Sequence, residues 1–127
     1  MTTSGLSIAD AAERTGLSVD TLRYYERDGL MLAPVPRTSS GHRAYGPDEL
    51  RWITMVTRLR STGMPIRDVR RYAALVRAGE GNEAERLALL QAHRQVVLAR
   101  LAEVQDHLGA IDHKIGIYTD AVSSSAA

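Results

Sequence analysis

Residues 18–30 read SVDTLRYYERDGL, a short segment that opens on a serine and reaches a glycine near its end. Ser18 is of a type that caps the first turn of a helix, and Gly29 is of the type that ends one. Between them Leu22 and Tyr25 lie three positions apart, the spacing of one helical face, so we expect both in the core. The segment therefore predicts a short amphipathic helix.

The residues just before it repeat this pattern. Residues 7–16 read SIADAAERTG, in which Ser7 and Asp10 have the spacing of a capping box and Gly16 ends the run. Two short helices joined by a glycine-containing turn are typical of a helix-turn-helix. Many small helical domains contain this arrangement, so the pattern alone leaves the function open.

A turn-rich stretch follows the second helix. Residues 31–46, MLAPVPRTSSGHRAYG, contain two prolines and the run SSG, which oppose helix and favour a turn. Val35 on one side and Ala44 and Tyr45 on the other can form short strands. We therefore predict a β-hairpin with its tip at residues 38–41.

Two more helices complete the N-terminal part. Pro47 suits the first position of a helix that ends at Gly63, and its apolar residues cover most of its circumference. A fourth helix begins near Pro65 and ends at Gly79. We predict that residues 1–79 form one domain of mainly α structure.

The remaining residues carry a heptad repeat. Apolar side chains recur at alternating intervals of three and four, with Arg94 filling one place, which predicts a coiled-coil helix over residues 80–120. Residues 121–127 are predicted to be a disordered tail. A helix folded back on itself at Gly109 is the alternative, but the repeat passes Gly109 without losing phase. The predicted dimerisation residues are Leu87, Leu90, Val97, Leu101, Val104, Leu108, Ile111 and Ile115.

Charge, composition and the absence of certain motifs exclude several classes of function. Residues 1–79 carry a net charge of +4 and residues 80–127 one of −3, which suggests that the first part meets a polyanion. The chain has no cysteine, which excludes disulfides, thiolate metal ligands and a thiol nucleophile. No secretory signal and no membrane-length apolar run is present, so we expect a cytoplasmic protein. No catalytic motif appears, so we predict no enzymatic activity and no cofactor.

The strings LRYYERDGL and GHRAY, followed by a long heptad helix, resemble the MerR family of bacterial transcription regulators over about residues 6–118. The resemblance implies a winged helix-turn-helix fold and a homodimer held by an antiparallel coiled coil of the last helix. It also implies a recognition helix in the DNA major groove and a hairpin, the wing, on the flanking backbone. The implied DNA-binding residues are Ser18, Thr21, Arg23, Tyr24, Arg37, His42, Arg43, Tyr45 and Arg67.

The resemblance further implies a pseudo-palindromic promoter operator, distortion of the spacer DNA, and RNA polymerase at the same promoter. It does not identify an effector. Relatives that sense metals or electrophiles use cysteines; here His107 lies where relatives of similar length often have one, which puts such sensing in doubt. His93, His107 and His113 do not share one helical face, so we predict no metal site.

Two other functions stay open at this stage. One is a DNA-architectural, excisionase-like factor, against which the heptad helix argues because such factors are short. The other is a coiled-coil adaptor that binds protein instead of DNA. DNA binding that weakens with salt would favour the regulator or the architectural factor over the adaptor.

Overall fold

The computed structural model describes residues 5–126, which contain five helices. They are α1 (Ile8–Thr15), α2 (Val19–Arg27), α3 (Pro47–Ser61), α4 (Ile66–Ala78) and α5 (Glu83–Ser125). These bounds confirm the mainly α fold class and the predicted starts of the first four helices.

Serine caps position the two helices of the helix-turn-helix. The Ser7 hydroxyl accepts a 3.1 Å hydrogen bond from the Asp10 amide at the start of α1. The Ser18 hydroxyl accepts one of 3.0 Å from the Thr21 amide at the start of α2. Gly16 ends α1 with a φ of 75°, a left-handed conformation that a β-carbon would disfavour. The chain can therefore turn from α1 into α2 within three residues.

The predicted hairpin is present but pairs through few residues. The Thr38 amide donates to the His42 carbonyl at 2.7 Å, and the Ala44 amide donates to the Pro36 carbonyl at 2.8 Å. Val35, predicted to be in a strand, instead donates its amide to a carboxylate of α2. The hairpin tip lies at residues 38–41, as predicted.

A second pairing attaches the base of the hairpin to the segment before α1. Leu6 and Tyr45 exchange two backbone hydrogen bonds, each of 2.8 Å, although 39 residues separate them in sequence. Gly5 lies beside this pairing, and a β-carbon there would come within 2.8 Å of the Ala44 β-carbon. The hairpin base is thus fixed against the domain.

Apolar side chains from all these segments form one core. Tyr25 is 5% exposed, which confirms its predicted burial beside Leu22. The helices α3 and α4 contribute Ile53, Val56 and Val69, which are fully buried at its centre. This core holds α2 and the hairpin as parts of one folded unit.

Helix α5 contains 43 residues, or about 65 Å at ~1.5 Å per residue. It ends at Ser125, so the prediction of a disordered tail at 121–127 is wrong for residues 121–125, which are helical; residue 127 lies outside the described range.

Residue contacts divide the chain into two compact units, and the boundary between them in the sequence lies between Leu90 and Gln91. Within residues 5–126, none of the helices combines the length and apolarity needed to cross a bilayer.

Candidate nucleic-acid interface

The N-terminal half of α2 presents short hydroxyls and one arginine. Ser18 is exposed, and its hydroxyl donates to the Thr21 hydroxyl at 2.9 Å. The Arg23 side chain is 53% exposed and lies 3.7 Å from the Asp20 carboxylate. An ion pair of this exposure is weak, so the guanidinium can exchange that carboxylate for another acceptor.

Tyr24, the fourth predicted residue of α2, is partly packed against the core. Its hydroxyl accepts a 3.4 Å hydrogen bond from Arg70 of α4, and the Arg27 guanidinium lies 5.8 Å from its ring centroid. Tyr24 therefore has neighbours on two sides that restrict its orientation.

Two arginines of α4 bind the C-cap residue of α2 and the segment that follows it. Arg70 Nε donates to the Asp28 carbonyl at 3.0 Å, and Arg77 donates to the Gly29 and Met31 carbonyls at 3.2 and 2.5 Å. Cations that bind the last carbonyls of a helix also interact favourably with its dipole. These three hydrogen bonds each span more than 40 residues, and none of them was predicted from the sequence.

The hairpin carries three of the predicted residues at its surface. Arg37 and His42 are exposed, and the Arg43 side chain is 23% exposed. Arg37 and Arg43 face each other across the hairpin as an antiparallel bridge. Both guanidinium groups converge on the carboxylate of Glu26, near the end of α2.

Glu26 accepts three hydrogen bonds from the hairpin. Its donors are Arg43 Nε at 2.7 Å, the Val35 amide at 2.7 Å and Arg37 Nη2 at 3.4 Å. Burial by itself raises the pKa of the Glu26 carboxyl, but these hydrogen bonds and the two positive charges more than offset it. The pKa of Glu26 is therefore lowered, and the carboxylate stays charged at neutral pH.

Tyr45, which was predicted to bind DNA, is buried, so this prediction is wrong. Only 1% of this residue is exposed, and its hydroxyl is the one buried side-chain polar atom among residues 5–126 without a hydrogen-bond partner. Burial raises the pKa of the Tyr45 hydroxyl, which keeps it protonated. The pairing with Leu6 draws the side chain into the core, so in this conformation it cannot contact a phosphate. Its role is to hold the base of the hairpin.

Arg67 lies at the start of α4, with its side chain 83% exposed and 3.8 Å from the adjacent Asp68 carboxylate. The structure records no contact between Arg67 and either α2 or the hairpin in the described part of the chain. It is thus a solvated cation beside a helix start, available to an anion but not fixed by a neighbour.

On α5, most of the predicted dimerisation residues are uncovered. Exposure lies between 49% and 57% for Leu87, Leu101, Val104, Leu108, Ile111 and Ile115. Val97 is partly exposed, and Leu90 packs in part against the core. The same spacing continues through Tyr118 and Val122, which are 64% and 68% exposed. These two residues were not among those predicted, although they continue the alternating intervals of three and four beyond Ile115.

No three histidine, aspartate or glutamate side chains come together as a metal site anywhere in residues 5–126. His93, His107 and His113 are distributed along α5.

Comparisons with known proteins agree with this architecture. Residues 6–75 match the family model described as MerR HTH family regulatory protein, and residues 50–114 match the one described as MerR, DNA binding. The first match covers α1 to α3, the hairpin and most of α4. The second runs from α3 into α5.

Individual relatives resemble the chain over most of its length. An HTH-type transcriptional regulator of Haemophilus influenzae is 34% identical over 89% of this chain and 83% of its own. A MerR family regulator from Listeria monocytogenes superposes with a TM-score of 0.82 at 40% identity, over 89% of this chain and 85% of that one. HiNmlR, a MerR family regulator lacking the sensor domain and crystallised with promoter DNA, gives 0.83 at 32% identity over 94% of each chain. The protein thus belongs to the MerR family of DNA-binding transcription regulators.

Proposed function

We propose that the protein binds a pseudo-palindromic promoter operator as a homodimer, with α2 in the major groove and the hairpin on the flanking backbone. The observation that carries the proposal is the way α2 is held. Its start is capped by Ser18, its C-cap carbonyl and the segment just after it are bound by Arg70 and Arg77, and its side is joined to the hairpin through Glu26. Such anchoring leaves the exposed face of α2 as a rigid reading surface.

The exposed side chains suit two kinds of contact. Arg23 can donate two parallel hydrogen bonds to guanine O6 and N7, the contact that reads sequence most directly. The hydroxyls of Ser18 and Thr21, and the charges of Arg37, Arg43 and Arg67, suit phosphate oxygens, which position the protein. His42 lies beside the hairpin tip and adds a donor there.

The proposed dimer is formed by the apolar seam of α5, that is, by the apolar side chains at the heptad positions from Leu87 to Val122. A seam this exposed in a single chain favours a partner helix, since monomers rarely leave so long an apolar stripe in water. Arg94 occupies one seam position and favours antiparallel pairing. In a parallel homodimer it would face the partner's Arg94, two like charges within a dry interface, whereas antiparallel pairing places it against an apolar residue.

Two-fold symmetry of the dimer calls for two related half-sites in the operator. We further propose that binding distorts the DNA between them, where contacts at both ends offset the elastic cost, and that RNA polymerase then engages the altered promoter. HiNmlR supports this model as a relative in complex with promoter DNA. The proposal includes no catalytic activity and no cofactor, and it places the protein in the cytoplasm.

Titration of the protein into a fluorescently labelled DNA fragment from upstream of its own gene tests the proposal. Arg23→Ala should weaken specific binding by about 1–3 kcal/mol, roughly five-fold to 150-fold, by removing a base contact. Arg51→Ala is the matched control, because Arg51 also follows an aspartate by three positions on a helix and is exposed, at 71% against 53% for Arg23. Equal effects of the two substitutions would contradict a reading role for α2.

Salt dependence separates this function from the protein-binding adaptor. Neutralised phosphates release counterions, so the logarithm of the affinity should fall linearly with log salt, with a slope of about −0.9 per phosphate contact. Affinity that is independent of salt, or identical for operator and unrelated DNA, would overturn the proposal.

A further inference from the structure

Glu26 poses a problem that the proposed function does not explain. It is an acidic residue on the helix proposed to enter a groove lined by phosphates, where a negative charge weakens binding. Yet its side chain is only 13% exposed and accepts hydrogen bonds from three hairpin donors. The carboxylate is therefore turned toward the hairpin and away from solvent.

The geometry at Arg43 shows what this contact leaves available. Glu26 accepts a 2.7 Å hydrogen bond from the Nε–H of Arg43, so it occupies one edge of the planar guanidinium. Neither Nη atom of Arg43 has a hydrogen-bond acceptor within residues 5–126. A guanidinium held at Nε has its Nη donors directed as a fixed fork, the arrangement that binds phosphate in a bidentate manner.

The backbone contact adds a second constraint. The Val35 amide donates to the other oxygen of the same carboxylate, at 2.7 Å, at the entry to the hairpin. One side chain of α2 thus fixes both the first strand-like segment of the hairpin and the arginine on the returning segment. Displacement of the hairpin relative to α2 would break both bonds together.

We propose that Glu26 is a positioning residue for DNA binding, which locks the hairpin to the recognition helix and presents the Nη edge of Arg43 to a backbone phosphate. The inference rests on the proposed DNA-binding function. Removal of the Glu26 charge should therefore weaken operator binding. Electrostatics alone predicts the opposite, because loss of a negative charge from a DNA-binding surface should strengthen binding to phosphates.

The test compares Glu26→Gln with Asp20→Asn in titrations of operator and unrelated DNA. Both substitutions remove one negative charge from α2, but Asp20 is 95% exposed and bonded only loosely. Asp20→Asn should bind as tightly as the unmodified protein or more tightly. Glu26→Gln should bind the operator about ten-fold more weakly, through loss of a charge-assisted hydrogen bond, with much less effect on unrelated DNA. Equal or tighter operator binding by Glu26→Gln overturns the proposal.

A double-mutant cycle separates positioning from a general loss of fold. If Glu26 acts through Arg43, Glu26→Gln should cost clearly less in an Arg43→Ala background than in the unmodified protein, with the remainder due to the Val35 contact, so the two effects should not be additive. Full additivity, with all variants folded by circular dichroism, contradicts the proposal. Arg43→Lys provides a second check, since it keeps the charge but cannot bond Glu26 and phosphate through one planar group, so it should also lose affinity. If the unmodified protein itself fails to prefer operator DNA, it is the proposed function that fails.

Discussion

The indole Nε1 of Trp52 donates a 2.6 Å hydrogen bond to the carbonyl of Leu30. This bond joins α3 to the chain just after α2, at the point where the recognition helix has ended. The same indole ring stacks on Tyr72 of α4, with ring centroids 5.8 Å apart and planes inclined by 11°. Trp52 thus connects three elements that together set the position of α2.

We expect Trp52→Phe to lower the free energy of unfolding by about 1–3 kcal/mol. The phenyl ring keeps most of the apolar contact but leaves the Leu30 carbonyl without its donor. Chemical denaturation measures this free energy. Unfolding should be followed by circular dichroism and not by tryptophan fluorescence, because the substitution removes the only tryptophan of the chain. A loss below about 0.5 kcal/mol, the range of ordinary surface substitutions, would show that the bond contributes little.

Arg70→Ala should loosen the end of the recognition helix. It removes the hydrogen bonds to the Asp28 carbonyl and the Tyr24 hydroxyl, at a cost of about 1 kcal/mol. Arg71→Ala is the control, because Arg71 only lies 3.8 Å from Glu85 at the surface and should contribute about 0–1 kcal/mol. Unfolding curves and hydrogen exchange at the amides of α2 provide the comparison. Equal protection in both variants would argue against the anchoring role.

Much of the fold could be predicted from the sequence because its signals are local. Ser7, Ser18, Gly16 and Pro47 mark helix boundaries through their own backbone chemistry, and the heptad repeat is visible in the sequence itself. The burial of Tyr25 followed from its spacing to Leu22. These features need no knowledge of distant contacts.

The errors arise where distant segments meet. The family resemblance implied that Tyr45 binds DNA, but its pairing with Leu6 places it in the core. The partners of Glu26 are Arg37 and Arg43 of the hairpin, which the spacing of residues within α2 does not indicate. Local spacing cannot reveal which segments the tertiary fold brings together.

Stability should depend on pH through Glu26. Its pKa is lowered in the folded state from an ordinary value of 4.5, so its contribution is fully present above that pH. The contribution is lost as the pH falls through the lowered folded-state pKa. The difference in unfolding free energy between the unmodified protein and Glu26→Gln should therefore be constant near neutrality and shrink below about pH 4.5. A difference that does not change over this range would contradict the assigned contacts.

The apolar seam of α5 can be tested with two valines of similar exposure. Val104 lies on the seam and is 56% exposed, while Val96 lies off it and is 61% exposed. Val104→Asp should raise the dimer dissociation constant more than about ten-fold, since each copy loses roughly 1.5–3 kcal/mol of valine burial. Val96→Asp should leave it within about two-fold. Sedimentation equilibrium measures both, and equal effects would show that the seam is not the interface.

Helix orientation can be read from disulfide formation, because the chain has no cysteine of its own. In an antiparallel dimer paired over the whole exposed run from Leu87 to Val122, Ile115 lies far from the partner's Ile115, so Ile115→Cys should not cross-link under mild oxidation. In a parallel dimer the two sulfurs would face each other across the seam. A rapid disulfide-linked dimer would thus contradict the proposed orientation.

The mass of the operator complex tests the central claim most directly. We predict that the free protein sediments at twice the chain mass of 13.9 kDa and that one operator fragment binds two chains, with protected regions related by a two-fold axis. A single chain that sediments alone at micromolar concentration and still binds one unpaired half-site with full affinity would contradict it.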